Sequence, residues 1–445
     1  MSDTPGPENP QDPQNPFKGT PFEAFFSGGL PGGAPGGMPD LSQLFGQIQS
    51  LMQPYDGPLN WDVAMDTARK LAAATPDPTP SQKQKDAVAD AVRLADHWLE
   101  GTTSFPSGIS SATAWSKAEW LVNTAEVWQK LVEPVAESSV SSMSEALPEE
   151  MAAMAGPMVG FLGKAVGALL ANQTGSGLGA LAGEVLSLSD VGVPLSAPGK
   201  AALVPTNIAP FAEGLGVSQD DVLLYLALRE AAHQRLFSGV PWLRDHLIGA
   251  VRDYASGVEV NLQAIQERVE EQMRGVDINN PESLQQIFEG GMFELPQSAK
   301  QKAALERLEI ALALVEGWVD EVVTMATAER MPAAAKLAEA VRRRRAAGGP
   351  AEQVFANLVG LELRPRRLRD AATLWGSLRT RQGIEARDGV WMSPALLPTS
   401  ADLDDPLGFR EGADAPRALT DDDFDAELRK LLEGGGSSGD NPDAE

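Results

Sequence analysis

In the stretch 219–237, QDDVLLYLALREAAHQRLF, a carboxylate and an imidazole stand three residues apart. Steps of three and four keep helical side chains on one stripe, so Leu223, Leu226, Glu230, His233 and Phe237 share a face. A charge on an apolar stripe is costly to bury unless it is paired. Glu230 therefore needs a partner. The plain reading is a structural ion pair with Arg229, Arg235 or Arg244; the sharper one is a site in which Glu230 and His233 handle protons. The available chemistry is narrow, because the chain has three histidines, His97, His233 and His246, and no cysteine. Cysteine nucleophiles, disulfides and thiolate metal centres are excluded. A three-histidine metal site would use every histidine in 445 residues.

The elements that must position this stripe read as mostly helical between 41 and 400. Ser218 with Asp221 three residues on is a helix N-cap, and acids near a helix start suit its dipole. The helix is expected to run to about Phe237, before the break at Gly239–Pro241. A strand at 201–204 ends at Pro205 and leads through Thr206–Ile208 into a loop. Further helices are expected at 81–100, with Ala87, Val88, Ala91, Leu94, Ala95 and Trp98 as its apolar stripe, and at 111–133, where Trp120, Thr124 and Trp128 share a core face. Others are expected at 298–330 and 366–382, and no fixed-period repeat is present. His97 beside its stripe is assigned no role.

The segment 151–171, MAAMAGPMVGFLGKAVGALLA, is long enough to cross a bilayer. Lys164 near its centre, Pro157 and a composition of Ala, Gly and Met favour a buried hairpin with the similar stretch 175–189, so no membrane span is expected. Pro and Gly supply 17 of the first 40 residues, which predicts a disordered segment 1–40 carrying Phe17, Phe22, Phe25 and Phe26. No export signal is read at the N-terminus, and a cytoplasmic location is expected.

With 62 acidic against 36 basic residues the net charge is −26, which argues against a nucleic-acid partner. Charge is uneven, however. Residues 341–387 hold eleven arginines against four acids, and 401–427 hold ten acids against two arginines. The arginines either pair within the chain or meet a phosphate-bearing ligand, and 401–445 reads as a largely disordered acidic tail. No P-loop, dinucleotide fingerprint or Ser-His-Asp set is present.

Arg229-Glu230-Ala231-Ala232-His233 resembles an H-E-x-x-H zinc-protease motif whose first histidine is arginine. With Val204-Pro205-Thr206-Asn207-Ile208 before it, Val240–His246 after it and Leu396-Leu397-Pro398-Thr399 closing the body, the stretch 140–400 resembles the zincin-like metallopeptidase family of high-GC Gram-positive bacteria, read as zinc-dependent hydrolases. The resemblance implies a mainly α, zincin-like helical domain with a few short strands and disordered termini. It also implies a gluzincin-like site, in which a glutamate from a later helix, followed by a small residue and by an acid four positions on, completes the metal site. Glu316-Gly317-Trp318-Val319-Asp320 fits that pattern. By resemblance, Glu230 is the general base on metal-bound water, His233 and Glu316 are metal ligands, and Asp320 orients a ligand histidine.

The departure lies at Arg229. A guanidinium stays protonated and offers a metal no lone pair. His233 and Glu316 alone are one protein ligand short of the three a catalytic zinc site keeps. His246, thirteen residues on and past the Gly/Pro break, does not fit the spacing of a third motif histidine. Arg229 instead suits the role of a cation that replaces the metal's charge between buried carboxylates. The expectation is a zincin-like protein without peptidase activity and without a cofactor, serving as a binding or regulatory scaffold for a protein or peptide, with homo-oligomer formation open. The alternative is a hydrolase with an atypical zinc site around Glu230, His233 and Glu316, or with metal-free acid–base chemistry between Glu230 and His233.

Overall fold

The helix that carries Arg229, Glu230 and His233 begins where Ser218 accepts the Asp221 N–H at 3.1 Å, and it runs from Gln219 to Gly239. The later helix that carries Glu316 and Asp320 spans Ala299–Thr327 and starts in a reciprocal cap between Ser298 and Gln301. Each cap satisfies backbone donors that have no partner within the helix, an effect of about 1 kcal/mol. In this computed structural model the described residues are 55–410, apart from 56, 146–155, 257–297 and 347–366. The chain divides into Met1–Gln53 and Pro54–Glu445, and every described residue belongs to the second unit. The segment 1–40, with its four phenylalanines, lies outside the described residues, as does 411–445.

In chain order the main elements are α1 Trp61–Ala72, α2 Gln82–Trp98, β1 Ser111–Ala114, α3 Lys117–Glu145, α4 Gly156–Ala182, β2 Lys200–Leu203 and α5 Pro205–Ala212. They continue with α6 Gln219–Gly239, α7 Leu243–Ala255, α8 Ala299–Thr327, α9 Ala334–Ala346, α10 Leu368–Gln382, α11 Ile384–Gly389 and α12 Ser400–Asp404. The fold is mainly α, as expected. Its β component among the described residues is a parallel pair, with Ser111 opposite Lys200 and Ala114 opposite Leu203.

Several local expectations differ from the structure. Residues 111–114 are strand, not the start of a helix, because β2 supplies their backbone partners; α3 then starts at Lys117 and buries Trp120, Thr124 and Trp128 together. The loop expected after β2 is α5, with Pro205 pre-set for a first helical turn. On α2, Leu94 is exposed and Val92 is buried with Val88 and Ala95.

Within the stretch read as a hairpin, 151–155 lie outside the described residues, while Gly156–Ala182 form one continuous helix, α4. Its glycines let α1 approach closely: a Cβ at Gly175 would stand 2.3 Å from the Ala64 carbonyl oxygen, and one at Gly179 2.8 Å from that of Ala68. Among the described residues no helix is long and apolar enough to cross a membrane. The packed body also continues past 400, since α12 buries Leu403, Phe409 is buried, and Arg367 pairs with Asp404 at 3.0 Å.

α6 is the centre of this body. Its residues from Tyr225 to Phe237 are all buried, so the helix presents no solvent face there. It packs against α2, α8 and β2. The crossing of α8 and α10 is close at Gly317, where a Cβ would stand 2.6 Å from that of Ala371.

Candidate functional site

Because α6 is buried all round, each of its polar side chains must find protein partners. Arg229 reaches α8: its Nη2 donates to Glu316 Oε2 at 2.6 Å, and its Nη1 lies 3.7 Å from Asp320 Oδ1. His233, one turn on, places Nε2 2.9 Å from Glu316 Oε1 and holds Nδ1 2.8 Å from its own helix's Arg229 carbonyl. A carbonyl only accepts, so Nδ1 is the donor there, and Nε2 is the nitrogen turned to Glu316. Arg229, His233, Glu316 and Asp320 therefore converge, as the sequence pattern anticipates.

Glu230 does not join them. None of the arginines expected as its partners pairs with it. It turns to the loop before β2, accepting from the Ser189 N–H at 3.0 Å, from the Ser189 hydroxyl at 3.2 Å and from Gln234 Nε2 at 3.0 Å. The other arginines are committed elsewhere, Arg235 to Asp96 and the Phe105 carbonyl, and Arg244 to the carbonyls of Pro194 and Ser196. Burial pushes the Glu230 carboxyl up; His233 and the hydrogen bonds from Ser189, Ser187 and Gln234 offset this only in part. His246 is remote from the cluster's bonds. It packs edge-on to Trp242 and lines a separate cleft with Lys300 and Arg307.

Two participants were not singled out from sequence. Arg345 from α9 places its Nη1 2.7 Å from the same Glu316 Oε2 as an ion pair, so this carboxylate lies between two guanidinium groups and an imidazole. Asp190 takes Arg344 at 2.9 Å and the Leu186 N–H at 2.9 Å, while its own carbonyl accepts from Arg345 at 2.8 Å. Both depend on the loop 186–192, which is tied beside β2 by Leu188 N–H to the Ala202 carbonyl and by Val204 N–H to the Leu186 carbonyl, each 2.9 Å. That tether sets Ser189 against α6 and brings Gly192 over Glu316, where a Cβ would stand 2.9 Å from Oε1. The only sequence signal for Arg345 is its spacing of three from Arg342, which pairs with Asp320 at 2.8 Å from the same face of α9.

The electrostatics follow from this crowding. Burial alone would raise the Glu316 carboxyl, but Arg345, His233 and Arg229 outweigh it and hold it far below the usual carboxylate range. Burial alone would likewise loosen the Arg229 proton, while Glu316, Tyr225, Asp320 and Asp190 bind it more tightly than in water.

A second buried network lies further along α8. Arg387 is fully buried, pairs with Glu321 and Asp388, donates to the Thr102 carbonyl at 2.7 Å and sits over the Trp318 ring. Asp388 also accepts from Thr103, Ser104 and the Trp318 indole. The arginine-rich segment is thus not one basic surface. Arg342 to Arg345 pair with Asp320, Glu339, Asp190 and Glu316, and Arg379 and Arg387 with Glu321, all within the described body.

The model of the zincin-like metallopeptidase family matches residues 59–409, beginning well before the 140 expected from the motifs. No curated protein matches the chain. A crystal structure from Chloroflexus aurantiacus, described as a "putative hydrolase with a novel fold", is similar in fold, with a TM-score of 0.52 and 21% identity over 78% of this chain and 96% of that one.

The zinc implied by the family name does not fit the residues present. His233 Nε2 and Glu316 bond to each other, and both guanidinium groups point at the carboxylate oxygen a cation would need. Among the described residues no three His, Cys, Asp or Glu side chains are grouped to hold a metal. The match from 59 to 409 covers most of the chain, and the protein belongs to the zincin-like metallopeptidase family.

Proposed function

We propose that this protein is a non-catalytic member of its family, in which an arginine–carboxylate cluster stands where relatives hold a metal, and that it serves as a binding or regulatory scaffold. The observation that carries this reading is the contact between Arg229 and Glu316 at 2.6 Å. Two buried carboxylates without a cation would repel, and a guanidinium supplies permanent charge with a planar pair of donors. Arg345 adds a second guanidinium to the same carboxylate. Glu230, held by Ser189 and Gln234 and fully buried, is occupied in packing α6 against the loop before β2. In this reading Asp320 steadies Arg229, the cation in the ligand histidine's place, and the chain acts in the cytoplasm on a protein or peptide partner.

Metal analysis of the purified protein tests the reading, together with peptidase and esterase assays. The expected result is substoichiometric zinc, unchanged in a His233→Ala variant, and no hydrolysis above a buffer blank. Near-stoichiometric zinc that falls away in His233→Ala would overturn the scaffold and establish the atypical zinc hydrolase in its place.

A further inference from the structure

A cleft of about 600 Å³ opens between α8, α9 and α10, with Arg229 and Glu316 in its lining. Five arginines, at 229, 342, 345, 369 and 379, line it against three carboxylates, Glu316, Asp320 and Glu321. In a chain of net charge −26 this lining is positive.

The acceptors in this lining are spent. Glu316 is held by Arg229, Arg345 and His233; Asp320 by Arg342 and Arg229; Glu321 by Arg379 and Arg387. Every one of these six carboxylate oxygens already faces a guanidinium or an imidazole. The donors are not spent. Arg369 is exposed and makes no hydrogen bond or ion pair among the described residues. Arg379 gives only its Nε to Glu321, which leaves both terminal amino groups, and Arg342 meets Asp320 through one Nη alone. Arg369 from α10 and Arg342 from α9 both line this cleft. Along α10, Arg369, Thr373, Gly376 and Arg379 lie on one stripe, and ten residues of helix separate the two arginines by about 15 Å. Surplus guanidinium donors in a concave site, with no free carboxylate among its described lining residues, are matched by an incoming oxyanion.

We propose that this cleft is an oxyanion-binding site for a small molecule bearing two or more phosphate or carboxylate groups, gripped by Arg342, Arg369 and Arg379 beside the Arg229–Glu316 pair. The proposal rests on the reading of this region as a binding site and not a zinc centre. It goes beyond that reading by naming the ligand's chemistry and the residues that grip it. The spacing of Arg369 and Arg379 asks for a ligand with separated charges and not for a single small anion.

Calorimetric titration of the full chain at low salt, with inorganic tripolyphosphate in one arm and citrate in the other, tests it. Binding of either is expected, and the tighter arm identifies phosphate or carboxylate as the recognised group. Loss of two charge-assisted hydrogen bonds in an Arg369→Ala/Arg379→Ala chain should weaken binding by roughly tenfold or more. An Arg93→Ala chain, altered at an exposed pair outside the cleft lining, should bind as the parent does. An unchanged melting temperature in the double variant shows that the fold is intact. Absence of binding in both arms, or equal affinity in the double variant, would overturn the proposal. Binding seen only after Asp421, Asp422 and Asp423 are changed to Asn would overturn it too, assigning the cleft to the chain's own acidic segment. Zinc is measured on the same samples: zinc dependent on His233 fails the scaffold reading, whereas a zinc-free chain that ignores both anions fails only this proposal.

Discussion

His233 Nε2 lies 2.9 Å from Glu316 Oε1, so the imidazole and the carboxylate that the family resemblance offers to a metal are spent on each other. The other oxygen of Glu316 is shared by Arg229 and Arg345. Placing a histidine at 229 therefore removes one of two competing cations. An Arg229→His chain is expected to take up little zinc, and the same chain with Arg345→Ala to take up clearly more. Metal analysis after dialysis against zinc checks this. Equal zinc in the two would show that Arg345 does not compete for Glu316.

Arg229 is a buried charge whose partners are the buried Glu316 and the half-buried Asp320. Truncation to Ala leaves Glu316 short of one cation and is expected to cost about 3–5 kcal/mol in chemical denaturation. Changing both ends, Arg229→Met with Glu316→Gln, should cost less than the sum of the singles, because neither residue then remains as an uncompensated charge. Additive losses would mean that the pair is not coupled.

The arginines of α9 are adjacent in sequence but differ in role. Arg345 is nearly buried against Glu316, whereas Arg343 is largely exposed and, among the described residues, pairs with Glu339 on its own helix. Arg345→Ala is expected to lower the melting temperature by several degrees and Arg343→Ala to leave it unchanged. Thermal denaturation of the two variants beside the parent decides it.

Asp190 gives stability a defined pH dependence. Burial pushes its carboxyl up, but Arg344, Arg345 and the hydrogen bonds from Leu186 and Arg344 outweigh burial, and the folded value lies below the ordinary one. The unfolded chain then binds more protons as pH falls. This contribution is present above the ordinary carboxylate value, near pH 4, and is lost as pH drops toward the folded value. Asp190→Asn should be less stable at pH 7 and show a shallower acid limb. Glu230 has the opposite sign: its raised folded value makes stability decline as pH rises through it, a slope that Glu230→Gln should remove. Denaturation curves from pH 3 to 8 measure both limbs.

Gly192 adopts φ +79° directly over Glu316. Alanine there meets both a strained backbone and the carboxylate oxygen, and is expected to destabilise by about 1–3 kcal/mol. The loss should shrink in a Glu316→Ala background, where the contact is gone but the backbone strain persists.

Local features are legible in the residues themselves. Ser218 and Ser298 cap helices because a hydroxyl three residues from a free N–H is a short-range arrangement, and apolar periodicity places α6, α8 and α10 to within a few residues. Spacing on a helix fixes which of its own side chains share a face, and it is the family resemblance that joins the R-E-x-x-H stretch to Glu316–Asp320 in one cluster. A five-residue-scale pattern could not say that 111–114 is strand, because its partner lies at 200–203 and only pairing makes it β. Nor could it separate Glu230 from Glu316. The first is claimed by Ser189, forty-one residues earlier, and the second by Arg229 and Arg345 from two different helices. By itself the sequence determined most of the long helices and, through resemblance, the family, and it placed an arginine at 229. Tertiary structure decided which charge meets which, because ion pairing in a buried core depends on which elements pack together and not on distance along the chain.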